Sequence, residues 1–351
     1  MAPSPRIGSD IRSSFAPGTV LRDAVDMIDR QGTGALILIG TGRQVDEVST
    51  GGFFLKHAEL TAQRLAELAK MDGGIIVDAA GNLIVRANVH FMPDATIATR
   101  ETGTRFRTAE QLALTTDCPV LSVSEEGRSL AVVYSGGGPY VLRDPAELLA
   151  EANQMLASTS RIRARLEEAK DRLTRLEVDD LVTVHDVVLV LQRAVLVHRF
   201  SEEVEDLLVE LGGEAHLIEL QIADLLDGVD DLTRLVYSDY ARRRGASVRT
   251  MATRLARLET QVLSDGSRIA EALKLDELEA PARPRGIRTL AGVPRLPEAV
   301  KDALIDHFRD FQRLIHASVG ELDEVEGVGT ARAQQLRTYF DRLYQSGSIV
   351  P

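Results

Sequence analysis

Arg105 and Arg107 stand one residue apart in the segment Glu101-Thr-Gly-Thr-Arg-Phe-Arg-Thr-Ala-Glu-Gln111, where guanidinium, hydroxyl and small residues collect. Thr108 followed by Gln111 has the spacing of a capping box, which predicts a helix starting after Thr108. Both arginines would then precede a helix N-terminus, beside Gly103 and Thr104. Guanidinium groups, free backbone N–H donors and the positive end of a helix dipole together suit a polyphosphate. A surface turn carrying solvated arginines has the same composition, so this segment alone leaves both readings open. A second stretch, Lys70-Met-Asp-Gly-Gly74, sets the Asp72 carboxylate beside two glycines at the end of a helix and before a strand. On its own, Asp-Gly-Gly is an ordinary turn signal.

A third stretch lies near the C-terminus, Leu322-Asp-Glu-Val-Glu-Gly-Val-Gly-Thr-Ala-Arg-Ala-Gln-Gln-Leu336. Two short helices joined by Gly327-Val328-Gly329 are expected, with Ala333 and Leu336 packing on Leu322 and Val325. Backbone N–H groups at the second helix start can grip a phosphate without reading a base. The pattern is that of a helix-hairpin-helix, and Gly327, Val328, Gly329, Thr330 and Arg332 are its candidate DNA contacts. Arg332, Arg337 and Arg342 favour a phosphate backbone, whereas Asp323, Glu324 and Glu326 oppose one. Packing or protein contact is the competing use.

Three kinds of segment must position these residues. Up to about residue 145, short apolar runs alternate with helical stretches. Leu21–Arg30 and Thr61–Lys70 read as helices. Gly34–Gly40, Ile75–Val77, Leu83–Val89, Pro119–Ser124, Leu130–Ser135 and Tyr140–Leu142 read as strands, with a turn at Asp78–Asn82. Such mixing predicts an α/β layer with a central mixed sheet. Residues 146–285 carry leucines at helical spacing and little Pro or Gly, which predicts an all-α spine. The Pro-rich stretch Ala280–Gly286 marks a boundary, and residues 286–351 form a third, compact helical domain holding the hairpin.

The totals exclude several classes. With 41 basic against 53 acidic residues the net charge is −12, so any DNA contact is local rather than a matter of bulk charge. The single Cys118 rules out an intrachain disulfide and fits a reducing compartment. The N-terminus has no leader-like apolar core, and the most apolar run, Val187–Val197, is broken by Gln192 and Arg193. A soluble cytoplasmic protein, free of the membrane, is expected. The histidines are scattered, with no pair at the spacing of a helical metal site, and His90 alone falls near the candidate site.

Taken in order, Gly32–Ile39, Ser49-Thr-Gly-Gly-Phe53, Leu65–Gly73, Arg86-Ala-Asn-Val89, Glu101–Arg105, Arg107-Thr-Ala-Glu110, Pro294-Arg-Leu-Pro297 and Val325–Gly329 resemble the DNA-integrity-scanning (DisA) family over essentially the whole chain. The resemblance implies a diadenylate cyclase domain (1–145), a helical linker or spine (146–285) and a helix-hairpin-helix domain (286–351). It implies that two ATP molecules are joined into cyclic di-AMP with release of two pyrophosphates, using Mg²⁺ or Mn²⁺. Asp72 would serve as metal ligand or activator of the attacking hydroxyl. Arg105 and Arg107, with Thr104, Phe106 and Thr108, would line the phosphates. Gly73 would bring backbone close to the nucleotide, and Phe91 would pack beside the base. A homo-octamer, sequence-independent binding of branched DNA that suppresses synthesis, and a recombination or repair partner are further implications.

Two positions depart from the family's signatures: Asp72-Gly73-Gly74 replaces Asp-Gly-Ala, and Arg105-Phe106-Arg107 replaces Arg-His-Arg. The first removes one methyl. The second removes a donor that a phenyl ring cannot replace, a loss of about 10²–10³ in turnover if that histidine acts directly. A silent relative that binds ATP and DNA structures is therefore the second expectation.

Overall fold

A computed structural model describes residues 9–125, 130–241, 248–259 and 261–347. The first eight residues, part of the stretch read above for a leader, lie outside the described residues. Contacts divide the chain into two units, one running to Asn153 and including Val204–Glu219, the other comprising Gln154–Glu203 and Leu220 onward.

The first unit is built on a mixed sheet. Its strands are β1 (Ala35–Ile39), β2 (Ser49–Thr50), β3 (Phe53–Glu59), β4 (Gly74–Val77), β5 (Leu83–Phe91), β6 (Val120–Val123), β7 (Ala131–Ser135) and β8 (Gly138–Val141). Their order is β2-β5-β4-β1-β6-β7-β8, with β3 also pairing to β5. The β1–β4 pair is parallel and the remaining pairs are antiparallel.

The apolar runs of β1, β4, β6 and β7 reflect cover on both faces, which removes the polar alternation of a half-exposed strand. On one face Ile37, Ile75, Val77, Leu121, Val123 and Val133 meet Leu21, Val25 and Ile28 of the Val20–Gln31 helix and Leu65 and Ala69 of the Ala62–Ala69 helix. On the other, Leu38, Ile76, Val120, Val132 and Tyr134 meet Ala109, Leu112 and Ala113 of the Thr104–Thr116 helix. Successive residues of one strand thus feed opposite layers. Thr19 and Thr61 cap the Val20–Gln31 and Ala62–Ala69 helices, accepting from the N–H groups of Arg22 (3.3 Å) and Arg64 (3.2 Å).

The second unit is helical. Leu166, Leu173, Val187, Leu191, Val197, Val236 and Ile269 form one core. The Val187–Val197 run lies inside the Val184–Leu211 helix. Among the described residues no helix is long and apolar enough to cross a membrane. A separate core, with Leu290, Leu304, Phe311, Leu322 and Phe340 at its centre, belongs to the hairpin region.

Candidate active site

Lys70–Gly73 links the Ala62–Ala69 helix to β4, and Asp72 turns there with φ +58°. That left-handed turn throws the carboxylate outward, 81% exposed, where it meets Arg105 Nη2 at 3.2 Å. Gly73 lies flat against β5: a Cβ there would stand 2.6 Å from Asn88 Cα and 2.8 Å from its carbonyl carbon. Asn88 itself has φ +54°, and the β4–β5 register shifts beside it, between Gly74↔Val89 and Ile76↔Arg86. The bulge brings β5 toward the loop, and only a residue without a side chain fits between them.

The helix that carries the arginines starts earlier than the capping-box pattern predicts. It begins at Thr104 with Gly103 as N-cap, and no side chain caps it. The Thr108 hydroxyl instead donates to the Thr104 carbonyl (2.8 Å), and Gln111 Nε2 donates to the Ile97 carbonyl (3.0 Å). Phe106 explains the added turn. It is half-buried and packs on the layer that contains Ala109 and Leu112, so burial outweighs a local polar signal. The N–H groups of the first turn, through Phe106, therefore lack intrahelical partners, while the Arg107 N–H already bonds the Gly103 carbonyl (2.9 Å). Upstream, the buried Tyr134 hydroxyl donates to Glu101 Oε1 (2.8 Å) and ties this loop to β7. Burial and the Glu101 carboxylate both push the Tyr134 phenol far upward, so it stays a donor.

A cleft of about 300 Å³ opens here, lined by Gly34, Asp72, Gly73, Gly74, His90, Phe91, Thr104, Arg105 and Thr108. The Arg105 guanidinium crosses it and pairs with both Asp72 and Glu125. It rests on Gly34, where a Cβ would fall 2.5 Å from Arg105 Cζ and 2.7 Å from Glu125 Cγ. Phe91 closes the floor, 8% exposed.

Of the residues predicted from sequence, Asp72, Gly73, Phe91, Thr104, Arg105 and Thr108 line one cleft. Arg107 is exposed on the same helix and does not line it, and Phe106 turns to the core. Adjacent alternate positions on a helix point to different sides, so the two arginines cannot share one face. Glu125 and Gly34 were not singled out from sequence. Glu125 follows β6 with no motif around it, whereas Gly34 directly before a buried apolar strand was the available signal.

Among the described residues no cluster of three or more His, Cys, Asp or Glu side chains could hold a metal. Asp72 and Glu125 nonetheless converge on one guanidinium nitrogen. Two carboxylates completed by phosphate oxygens and water suit a hard divalent cation. A larger cavity, about 610 Å³, at the far end of β1 is lined, among the described residues, by Phe15, Leu21, Asp117 and Cys118 and by no Lys or Arg.

In the second unit, the Val319–Asp323 and Gly329–Gly347 helices flank the glycine turn, with Gly327 at φ +83° and Gly329 at φ +66°. Leu322, Val325, Val328, Ala333 and Leu336 are all buried together. The Val328 side chain therefore packs into the core, which leaves only its backbone for contact with a ligand. Gly327, Gly329, Thr330 and Arg332 are exposed; Arg332 Nη1 donates to the Gly327 carbonyl (2.7 Å), bracing the turn. Burial also exposes a repeat that the sequence reading missed. Leu290, Val293, Leu296, Leu304 and Phe308 match Leu322, Val325, Val328, Leu336 and Phe340 at a constant offset of 32 residues. Arg295, at φ +57° and exposed, stands where the other turn has Gly327. Gln335 Nε2, from the Gly329–Gly347 helix, donates to the Pro294 carbonyl (3.0 Å) and ties that helix to the first turn.

Comparison with known proteins gives three family matches. Residues 22–137 match the DisA bacterial checkpoint controller nucleotide-binding region, 142–280 its linker region, and 288–348 a helix-hairpin-helix motif. The DNA integrity scanning protein DisA of Acidothermus cellulolyticus is 43% identical over 344 residues, covering 96% of this chain and 93% of that protein. That of Kineococcus radiotolerans is 45% identical over 341 residues, covering 95% and 94%. That of Streptomyces coelicolor is 42% identical over 345 residues, covering 96% and 92%.

Proposed function

Because the chain belongs to the DisA family, we propose that it is a diadenylate cyclase, joining two ATP molecules into cyclic di-AMP with release of two pyrophosphates. The observation that carries this reading is the convergence of Asp72, Arg105, Thr104 and Thr108 on one cleft whose walls are backbone at Gly73 and Gly34. Arg105 and the unpartnered N–H groups of the first helical turn hold the triphosphate and offset charge that grows on it as pyrophosphate leaves. ATP must displace Asp72 and Glu125 from the guanidinium, which frees both carboxylates. Asp72 then takes up the 3′-hydroxyl proton or, with Glu125, holds the divalent cation. Mg²⁺ or Mn²⁺, when bound, supplies phosphate charge neutralisation and a more acidic hydroxyl. Phe91 packs beside the base. Arg107, outside the cleft, adds positive potential at its mouth.

In this reading residues 1–145 are the cyclase, 146–285 the spine and 286–351 the DNA-binding domain. The product has two-fold symmetry, so two cyclase domains meet face to face, in the homo-octamer that the family resemblance implies. Branched DNA is gripped through backbone phosphates at Gly327, Gly329, Thr330 and Arg332 and suppresses synthesis in the cytoplasm, where a recombination or repair protein is the expected partner.

The test is incubation with ATP and Mg²⁺ or Mn²⁺ and chromatography for cyclic di-AMP, beside Asp72→Asn and Phe106→His proteins. Product that vanishes with Asp72→Asn supports the cyclase. A silent parent that Phe106→His awakens would instead support a nucleotide- and DNA-binding module.

A further inference from the structure

The segment from Met92 to Gly103 joins β5 to the Thr104–Thr116 helix and is tied down along its length. The Met92 N–H bonds the Val48 carbonyl (2.8 Å). Asp94 accepts from the N–H and the hydroxyl of Thr96 (2.9 and 2.7 Å), and Gln111 Nε2 holds the Ile97 carbonyl (3.0 Å). The Thr99 hydroxyl donates to Glu110 and accepts from the Glu101 N–H (3.0 Å). The last tie runs from the Tyr134 hydroxyl to Glu101 Oε1 (2.8 Å), and only the exposed Thr102 and Gly103 separate it from the helix. Tyr134 is a fixed anchor. It is 1% exposed, and on β7 it stands between Val120 of β6 and Pro139 of β8.

Glu101 occupies a position from which a carboxylate interferes. Helix starts attract carboxylates, through the positive end of the dipole and through N–H groups without intrahelical partners. The Thr104–Thr116 helix has no side-chain cap, so its first-turn N–H groups are open to whichever anion reaches them. Glu101 precedes the Gly103 N-cap by two residues, at most about 7 Å of chain. A carboxylate swung onto those N–H groups would take the place of a phosphate. Yet neither Glu101 nor Glu110 lines the cleft, where among the described residues Asp72 is the one carboxylate. Tyr134 draws Glu101 to the β7 side instead, and its buried phenol keeps the proton with which it does so.

We propose that Tyr134 is a positioning residue that keeps the Glu101 carboxylate off the start of the Thr104–Thr116 helix, so that a nucleotide triphosphate meets uncapped N–H groups there. Glu101 is then a built-in competitor restrained by one hydroxyl. This rests on the reading of the cleft as a triphosphate site and needs no joining of two nucleotides. It differs from a simple strap in its sign. A strap fails when either partner is lost, whereas a restrained competitor does no harm once its charge is gone.

The test measures binding of ATP with Mg²⁺ to the full chain by isothermal titration, with inorganic triphosphate as a second probe that lacks base and sugar. The variants are Tyr134→Phe, Glu101→Ala, the two combined, and Glu101→Asp, which keeps the charge but stops one methylene short of the hydroxyl. Tyr134→Phe and Glu101→Asp should each weaken both ligands about five- to thirtyfold, the worth of a carboxylate at a partly buried helix start. Glu101→Ala should bind within about twofold of the parent, and in the Tyr134→Phe background it should restore affinity to that level. A double variant as weak as Tyr134→Phe, or a Glu101→Ala protein that is itself as weak, overturns the proposal and leaves a strap. Unchanged binding in Tyr134→Phe and Glu101→Asp overturns it as well. Should Tyr134→Phe fail to fold, weak Glu101→Asp beside normal Glu101→Ala supports the proposal, and equal affinities of those two overturn it. A parent that shows the rescue but makes no cyclic di-AMP leaves the proposal standing and removes the cyclase reading. A parent that binds neither ligand defeats both.

Discussion

Gly74→Ala restores the residue of the family signature, yet it should damage this protein. A Cβ at position 74 would stand 2.5 Å from Phe91 Cδ2 and 3.0 Å from Cζ, and closer still to Cε2. The ring has little room to retreat. Phe91 is 8% exposed, its backbone pairs with Ser49 on β2, and Gly74 pairs two residues away with Val89. Overpacking of a tight site costs about 1–3 kcal/mol. Gly74→Ala should therefore lose about 1–3 kcal/mol in urea denaturation and weaken binding of a fluorescent ATP analogue. Phe91→Leu alone should also destabilise, by leaving space beside Gly74. The double variant should be better than the sum of the two by at least about 1 kcal/mol, because each change relieves the other. Additive losses, or a Gly74→Ala protein as stable as the parent, would refute the claim that ring and methyl compete for one volume.

Phe106→His should cost stability on the order of 1 kcal/mol, because a polar ring enters a packed layer, while changing turnover less than about tenfold; a gain of about 10²–10³ would show that the side chain works in the cleft. Arg295→Ala should reduce the slope of log affinity against log salt for a DNA junction by about 1, and an unchanged slope would remove the first turn from the interface. Burial, then the Glu177 carboxylate, pushes the Asp239 carboxyl up to about 6 from 3.8. Between those values the folded chain keeps a proton that the unfolded chain has lost, so stability from this site grows as pH falls through 6 and is lost as it rises. Against Asp239→Asn, the parent should gain on the order of 1 kcal/mol between pH 7 and pH 5 in urea titrations, and a pH-independent difference would show that Asp239 does not titrate there.

The elements were legible where local pattern and burial agree. Doubly covered strands such as Ile75–Val77 read as unbroken apolar runs, and the Gly327–Gly329 turn announced itself through small residues between apolar ones. The start of the Thr104–Thr116 helix is hidden in the sequence because Thr108 and Gln111 spell a cap locally, while Phe106 packs against residues far along the chain. The first turn of the repeat stayed hidden because Arg295 and Pro297 replace the glycines that mark the second. Glu125 lies 20 residues beyond Arg105, and Asp239 lies 49 residues before Arg288. Neither pairing has a period to betray it, since the sheet and the helical spine bring those side chains together.

Gly34, Gly73 and Gly74 surround the cleft with positions where even one carbon collides with Arg105, Asn88 or Phe91. The pocket is shaped as much by withheld atoms as by supplied ones, which makes its response to mutation lopsided. Trimming a lining side chain leaves the vacancy intact and can be compensated by water or by ligand. Adding a carbon at Gly73 meets the Asn88 backbone and at Gly74 the Phe91 ring, whereas at Gly34 it meets the movable ends of Arg105 and Glu125. Variation in what the cleft accepts is therefore reached through the residues facing these positions, Phe91 foremost, rather than through the positions themselves.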